Sequence, residues 1–148
     1  MNYKRVAVAV DMDEVSITTL SQIKDLNIPT ESHIHLVHIF ELNFFSLDFF
    51  PPLQPTPENY LLIQKLMEEK LLAVQKKLGL EDHENVVLKC LFSSNAKHEF
   101  VKYSNTIQAS VVIAASKEKE GFSGLFESSF TSYLNKFSHK NFILFRPQ

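Results

Sequence analysis

Five short, largely apolar runs, each separated from the next by a stretch long enough to cross a sheet, constrain this chain more than any other feature. The runs are Val6–Val10, Ile34–Phe40, Val86–Phe92, Val111–Ala115 and Phe142–Phe145. Strands covered on both faces read in this way, whereas half-exposed strands alternate strictly. The intervening segments carry a helical period instead. Between the first two runs, Ile17, Leu20, Ile23 or Lys24, and Leu26 recur at helical spacing behind Asp13, which stands where an N-cap would. Pro57 followed by Glu58 opens a longer helix, with Leu62, Leu66, Met67, Val74 and Leu78 expected on its inner side and Gly79 at its end. A third helix is expected over Ala96–Ile107 with Phe100, Val101 and Ile107 inward. A fourth runs from about Ser129 to Phe137 with Phe130, Leu134 and Phe137 inward. Parallel strands joined by right-handed crossovers on both faces make a doubly wound α/β sheet. Such sheets hold ligands beyond the carboxyl ends of strands where the order reverses, which directs attention to the ends of the first, second and fourth runs.

At 148 residues the chain fits one domain, 1–148, and chains of this size bury ~70% of the surface that their unfolded form exposes. A net charge of -2 supplies no basic field to neutralise phosphates, so nucleic acid is not expected as a partner. The single cysteine, Cys90, lies inside an apolar run and reads as a small buried hydrophobe in a reducing compartment. The apolar stretch behind Lys4 and Arg5 is too short for the core of a signal peptide, and no run approaches the roughly 20 residues of a membrane span. The expectation is therefore a cytoplasmic protein with no membrane partner.

Several chemistries can be weighed and set aside on spacing. His33 and His35 share one strand face, but no Cys, Asp or Glu completes a metal site around them, so structural or solvated histidines are expected. Asp11, Asp13 and Glu14 resemble the acidic pocket of a phospho-receiver domain, yet Ser93, Ser94 and Asn95 stand where the acceptor aspartate belongs. Neither a Ser–His–Asp elbow nor a Cys–His pair is suggested at the strand ends, so no catalytic residue is assigned. Phe44–Leu53 packs four phenylalanines and two leucines into a connection. It is expected to lie as a lid on the protein's own surface, the alternative being a patch for a protein partner.

The ordered set of strand-end residues resembles the universal stress protein family over essentially the whole chain. Val8-Ala9-Val10-Asp11 closes the first strand, Leu36-Val37-His38-Ile39 forms the second, and Val111-Val112-Ile113-Ala114-Ala115-Ser116 forms the fourth. Ser128-Ser129-Phe130 opens the last helix, and Asn141-Phe142-Ile143-Leu144-Phe145-Arg146-Pro147 matches the closing strand. The resemblance implies an adenine nucleotide alpha hydrolase-like fold, with strand order 3-2-1-4-5 and a five-stranded parallel sheet. It also implies a nucleotide cleft made from Asp11, Ile39, Ala115, Ser116, Ser128 and Ser129, with ATP or AMP as the ligand class where one binds.

ATP-binding members carry Gly, two residues, Gly, nine residues, then Gly followed by Ser or Thr. Here that spacing falls on Ala115, Glu118, Ser128 and Ser129. Bare backbone is what lets N–H groups close around phosphates, and a carboxylate at 118 opposes an anion. Gly121 and Gly124 lie inside the spacer, too close to Ser128 to restore the pattern. The adenine end is better kept: Asp11 matches the residue that reads the adenine or its ribose, and Ile39 matches a position whose backbone contacts the base. Met12 and Ser94-Asn95-Ala96 replace glycine-bearing turns elsewhere in the family. The expected activity is therefore that of a dimeric, non-catalytic stress-response protein without ATP hydrolysis or tight ATP binding, the alternative being an ATP- or AMP-binding member with a rearranged loop. Phe142, Ile143, Leu144 and Phe145 form an apolar edge strand, and both edge chemistry and the resemblance imply pairing with a second copy there.

Overall fold

A computed structural model describes residues 1–42, 56–116 and 140–148. The expected fourth helix, the residues Glu118, Ser128 and Ser129, and the Phe44–Leu53 segment lie outside them. The five apolar runs all become strands: β1 (Arg5–Ala9), β2 (His33–Glu41), β3 (Asn85–Ser93), β4 (Val111–Ala115) and β5 (Asn141–Phe145). They pair in parallel in the order β3-β2-β1-β4-β5, the expected order. Register runs Arg5↔His33 through Ala9↔Val37 between β1 and β2, and Val6↔Val111 through Val8↔Ile113 between β1 and β4.

Because side chains alternate along each strand, the sheet builds two cores from interleaved residues. On one face Val6, Val8, Ile34, Leu36, Val111 and Ile113 meet Leu20, Ile23, Leu71, Val74 and Leu78. These last come from the first two crossovers, α1 (Glu14–Leu20) and α2 (Pro57–Lys77) with their C-terminal extensions. On the other face Ala7, Ala9, Val37, Ile39, Val112 and Ala114 meet Ala96, Phe100 and Val101 of α3 (Ala96–Thr106). The face carrying α3 is lined by alanines in β1, which lets the bulky Phe100 approach closely and become fully buried.

Helix boundaries follow local chemistry. Asp13 caps α1 by accepting from the Ser16 N–H at 2.9 Å, Thr56 caps α2 ahead of its first-turn proline, and Asn95 caps α3. After Leu20 the first crossover tightens into a 3-10 helix, Ser21–Leu26, and stops at Asn27 in the left-handed region. Gly79 ends α2 with φ +66; a Cβ there would stand 2.9 Å from Lys24 Cε.

One expectation is corrected. Leu62 and Leu66 do not face inward; they are 57% and 46% exposed, and the inner stripe of α2 runs through Ile63, Met67, Leu71 and Val74 to Leu78. The helix is apolar on more than one side, so periodicity alone admitted two faces, and packing against β2 and β3 selected the other. Among the described residues no helix is long and apolar enough to cross a membrane.

Candidate functional site

The chain leaves β1 toward β2 and β3, then returns past β1 to β4 and β5, so the order reverses between β1 and β4. Loops departing in opposite directions from adjacent strands leave a crevice at their carboxyl ends, where doubly wound sheets hold ligands. The structure brings Asp11, Ile39, Ala115 and Ser116 to the carboxyl ends of β1, β2 and β4 bordering that crevice.

At the β1 end, the Val10 N–H donates to the Val37 carbonyl at 2.8 Å, and half-buried Asp11 follows as the chain leaves the sheet. Met12 turns back to pack against the core beneath α1. Among the described residues positive φ occurs only at Asn27, Gln108 and Gly79. The turn through Met12 therefore requires no left-handed residue and carries a side chain without backbone strain.

In a parallel ladder, alternate residues direct both N–H and C=O to the same neighbour. Val37 uses its pair on β1, and Ile39, two residues on, directs its own pair the same way, beyond the point where β1 has ended. Its side chain is 6% exposed and lies in the core beneath α3, so Ile39 offers a ligand its backbone and not its side chain. His38 fixes the geometry between these strands. Its Nδ1 lies 2.8 Å from the Val10 carbonyl oxygen, and since a carbonyl only accepts, Nδ1 carries the proton. A structural histidine was the expectation for this chain, and His38 meets it by satisfying a carbonyl at the end of β1.

On the far wall, Ala115 shares a strand face with Ile113 and turns its Cβ toward the core beneath α1. The Ser116 side chain is buried, and its N–H already donates to the Phe145 carbonyl of β5 at 2.8 Å. That amide is committed to the sheet and does not point at a ligand. The third strand ends in a turn of the same glycine-free kind: the Asn95 N–H bonds Ser93 Oγ at 3.0 Å while Asn95 Oδ1 accepts from the His98 N–H at 3.2 Å. Behind the crevice, on the α2 side, Phe92 packs edge-on against Tyr60 with ring centroids 4.8 Å apart and against Phe40 at 5.6 Å.

Away from the crevice, burial perturbs His35 and Cys90 among others. His35 lies 2.9 Å from Tyr103 Oη through Nδ1, and burial, then His33 and Arg5, hold its pKa below the ordinary value. Cys90 is 3% exposed, and burial followed by the Glu68 carboxylate pushes its pKa up to about 11. It is an unreactive thiol, as its place in the apolar run implied. Among the described residues, an open cavity of about 410 Å³ lies beside α1 and the C-terminus and another of about 480 Å³ at the amino ends of the strands, both away from the crevice residues. Among the described residues no group of three or more His, Cys, Asp or Glu is placed to hold a metal ion. Chemically, the described crevice residues bring the Asp11 carboxylate and the Ile39 backbone to neighbouring strand ends. That set suits recognition of a flat heterocycle edge or a ribose.

A family model described as "Universal stress protein family" matches residues 2–146. Among solved structures, the protein MJ0577 superposes with a TM-score of 0.67 at 20% identity, covering 100% of this chain and 99% of that one. A universal stress protein from Archaeoglobus fulgidus in complex with dAMP gives 0.59 at 11% identity, with 98% and 99% covered. A universal stress protein family protein from Arabidopsis thaliana with AMP bound gives 0.54 at 11% identity, with 98% and 92% covered. No curated protein matches the sequence.

Proposed function

This chain belongs to the universal stress protein family, and from that premise we propose that it works as a dimeric, non-catalytic binding protein of the stress response in the cytoplasm, without a tight grip on ATP. The observation that carries this reading is the contrast between the two walls of the crevice. Asp11 and Ile39 stand at the carboxyl ends of β1 and β2, where an adenine or its ribose would lie. Across from them Ala115 replaces the first glycine of the phosphate pattern, and the Ser116 amide is used by β5. A polyphosphate cradle works through uncommitted N–H groups on bare backbone, and of the described residues of this wall the Ser116 N–H is already taken.

AMP and dAMP occur in the solved structures of two proteins of the same fold, which supports an adenine monophosphate as the ligand class if one binds here. The proposed copy–copy contact runs through β5. Among the described residues that strand pairs with β4, and Phe142, Ile143, Leu144 and Phe145 are half-buried, so a second copy laid along it would cover apolar surface. Isothermal titration of the purified protein with ATP and with AMP tests the reading. Binding of ATP in the micromolar range would overturn it and favour a rearranged phosphate loop.

A further inference from the structure

His38 stands where β1 gives out, and its ring occupies a place that the sheet would otherwise fill with backbone. The Val10 N–H donates to the Val37 carbonyl at 2.8 Å, which fixes the phase of the ladder: the odd-numbered residues of β2 direct N–H and C=O toward β1, and the even-numbered ones toward β3. The bond due next in that series runs from the Ile39 N–H to the Val10 carbonyl. Among the described residues it is not formed. The oxygen is met instead by Nδ1 of His38 at 2.8 Å. Val10 is 2% exposed, so its carbonyl is shielded from water and needs a donor, and the imidazole supplies one from the residue next to the amide it replaces.

We propose that His38 is a positioning residue: by bonding the Val10 carbonyl in place of the Ile39 N–H, it ends the ladder between β1 and β2 one bond early and leaves that amide for a ligand in the crevice. The inference rests on the reading of the crevice as an adenine or ribose site, and it gives a physical reason why Ile39 does not simply close the ladder. The Ile39 side chain is buried beneath α3, so backbone polarity is all that this residue has to offer a ligand. The same exchange steadies the wall that carries Asp11. Val10 is held at its N–H by Val37 and at its C=O by His38, so Asp11 leaves the sheet from a peptide bonded to β2 at both groups. Leucine at position 38 removes the ring proton and returns the Val10 oxygen to the Ile39 N–H. Asparagine keeps a donor, because its Nδ2 stands as many bonds from Cα as Nδ1 of histidine does.

Nuclear magnetic resonance of the isotope-labelled full chain tests this without any ligand, through the scalar coupling that a hydrogen bond transmits from an amide nitrogen to the carbonyl carbon it bonds. In the wild type no coupling is expected between the Ile39 nitrogen and the Val10 carbonyl carbon, and in His38→Leu that coupling should appear. Titration with AMP and adenosine follows. His38→Leu is expected to bind about tenfold more weakly than the wild type, the equivalent of one hydrogen bond, and His38→Asn within about threefold of it. Chemical denaturation separates positioning from a merely structural role: His38→Leu exchanges one bond to the Val10 carbonyl for another, so its midpoint should match that of His38→Asn while its affinity does not. A coupling from Ile39 to Val10 in the wild type, or none in His38→Leu, overturns the proposal. Equal affinities for the leucine and asparagine variants overturn it as well. If neither AMP nor adenosine binds the wild type, the reading of the crevice fails instead, and the couplings still decide whether His38 displaces the Ile39 amide.

Discussion

Two aspartates separated by one residue at the end of β1 are assigned opposite work, and replacing each in turn separates them. Asp13 Oδ1 accepts from the Ser16 N–H at 2.9 Å and so satisfies one of the four donors that α1 leaves unpaired at its start. Alanine at an N-cap costs about 0.5–2 kcal/mol, and the carboxylate adds about 0.3–1 kcal/mol by its attraction to the helix dipole. Asp13→Ala should therefore destabilise by about 1.5 kcal/mol, which for a domain of this size lowers the melting temperature by about 3–6 °C. Asn caps as well as Asp and lacks only the charge, so Asp13→Asn should lose less than half as much. Asp11 lies outside α1, and Asp11→Ala should leave that cap in place while removing the adenine recognition assigned to it. The assay is thermal unfolding followed by circular dichroism, with AMP titrated into each variant. Equal losses for Asp13→Ala and Asp13→Asn would refute the capping argument. Unchanged AMP binding by Asp11→Ala would refute its assignment to the ligand side.

Four other outcomes follow from the geometry. The folded-state pKa of His35 is lowered, so the unfolded chain takes up its proton first. Its contribution to stability is complete above the unfolded value of 6.5 and is lost as the pH falls below it; His35→Gln should flatten the dependence of the urea midpoint between pH 7.5 and 5.5. Cys90, with its pKa near 11, should react with a disulfide reagent at pH 8 only as fast as the protein unfolds, and rapid labelling of the native state would contradict its burial. Phe100→Ala empties the centre of the core beneath α3 and should cost about 3–5 kcal/mol by chemical denaturation. Gly79→Ala places a Cβ in the left-handed region and against Lys24, and a cost of about 1–2 kcal/mol is expected from the same measurement.

How much of this was legible in the sequence depends on how local the signal is. The strands were found to within a residue at each end, because β1 and β4 are apolar throughout their buried cores and no helix competes for runs of that length. The caps at Asp13 and Gly79 were likewise visible, since each depends on a residue type at one position. The inward face of α2 was not, because Leu61, Leu62, Leu66 and Leu72 form a second apolar stripe and only the position of the sheet decides between the two. The break of the first crossover into a 3-10 helix at Ser21 also depends on where the chain must turn. In the crevice, Asp11 and the Ile39 backbone were placed by the resemblance. The commitment of the Ser116 amide to Phe145 and the bond from His38 to the Val10 carbonyl were not readable, since both join residues distant in sequence. The missing glycine at Met12 was read as a lost permissive turn, whereas the backbone there makes the turn without positive φ.

The account stands on a wall at Ala115 and Ser116 that gives phosphoryl groups little to hold. Its most direct test is the ratio of affinities for adenosine, AMP and ATP, measured by equilibrium dialysis on the same preparation in one buffer. The account predicts that affinity stays level, or falls, as phosphates are added beyond the first. An ATP affinity tenfold or more above that of adenosine, equivalent to about 1.4 kcal/mol gained from the phosphate chain, would contradict it.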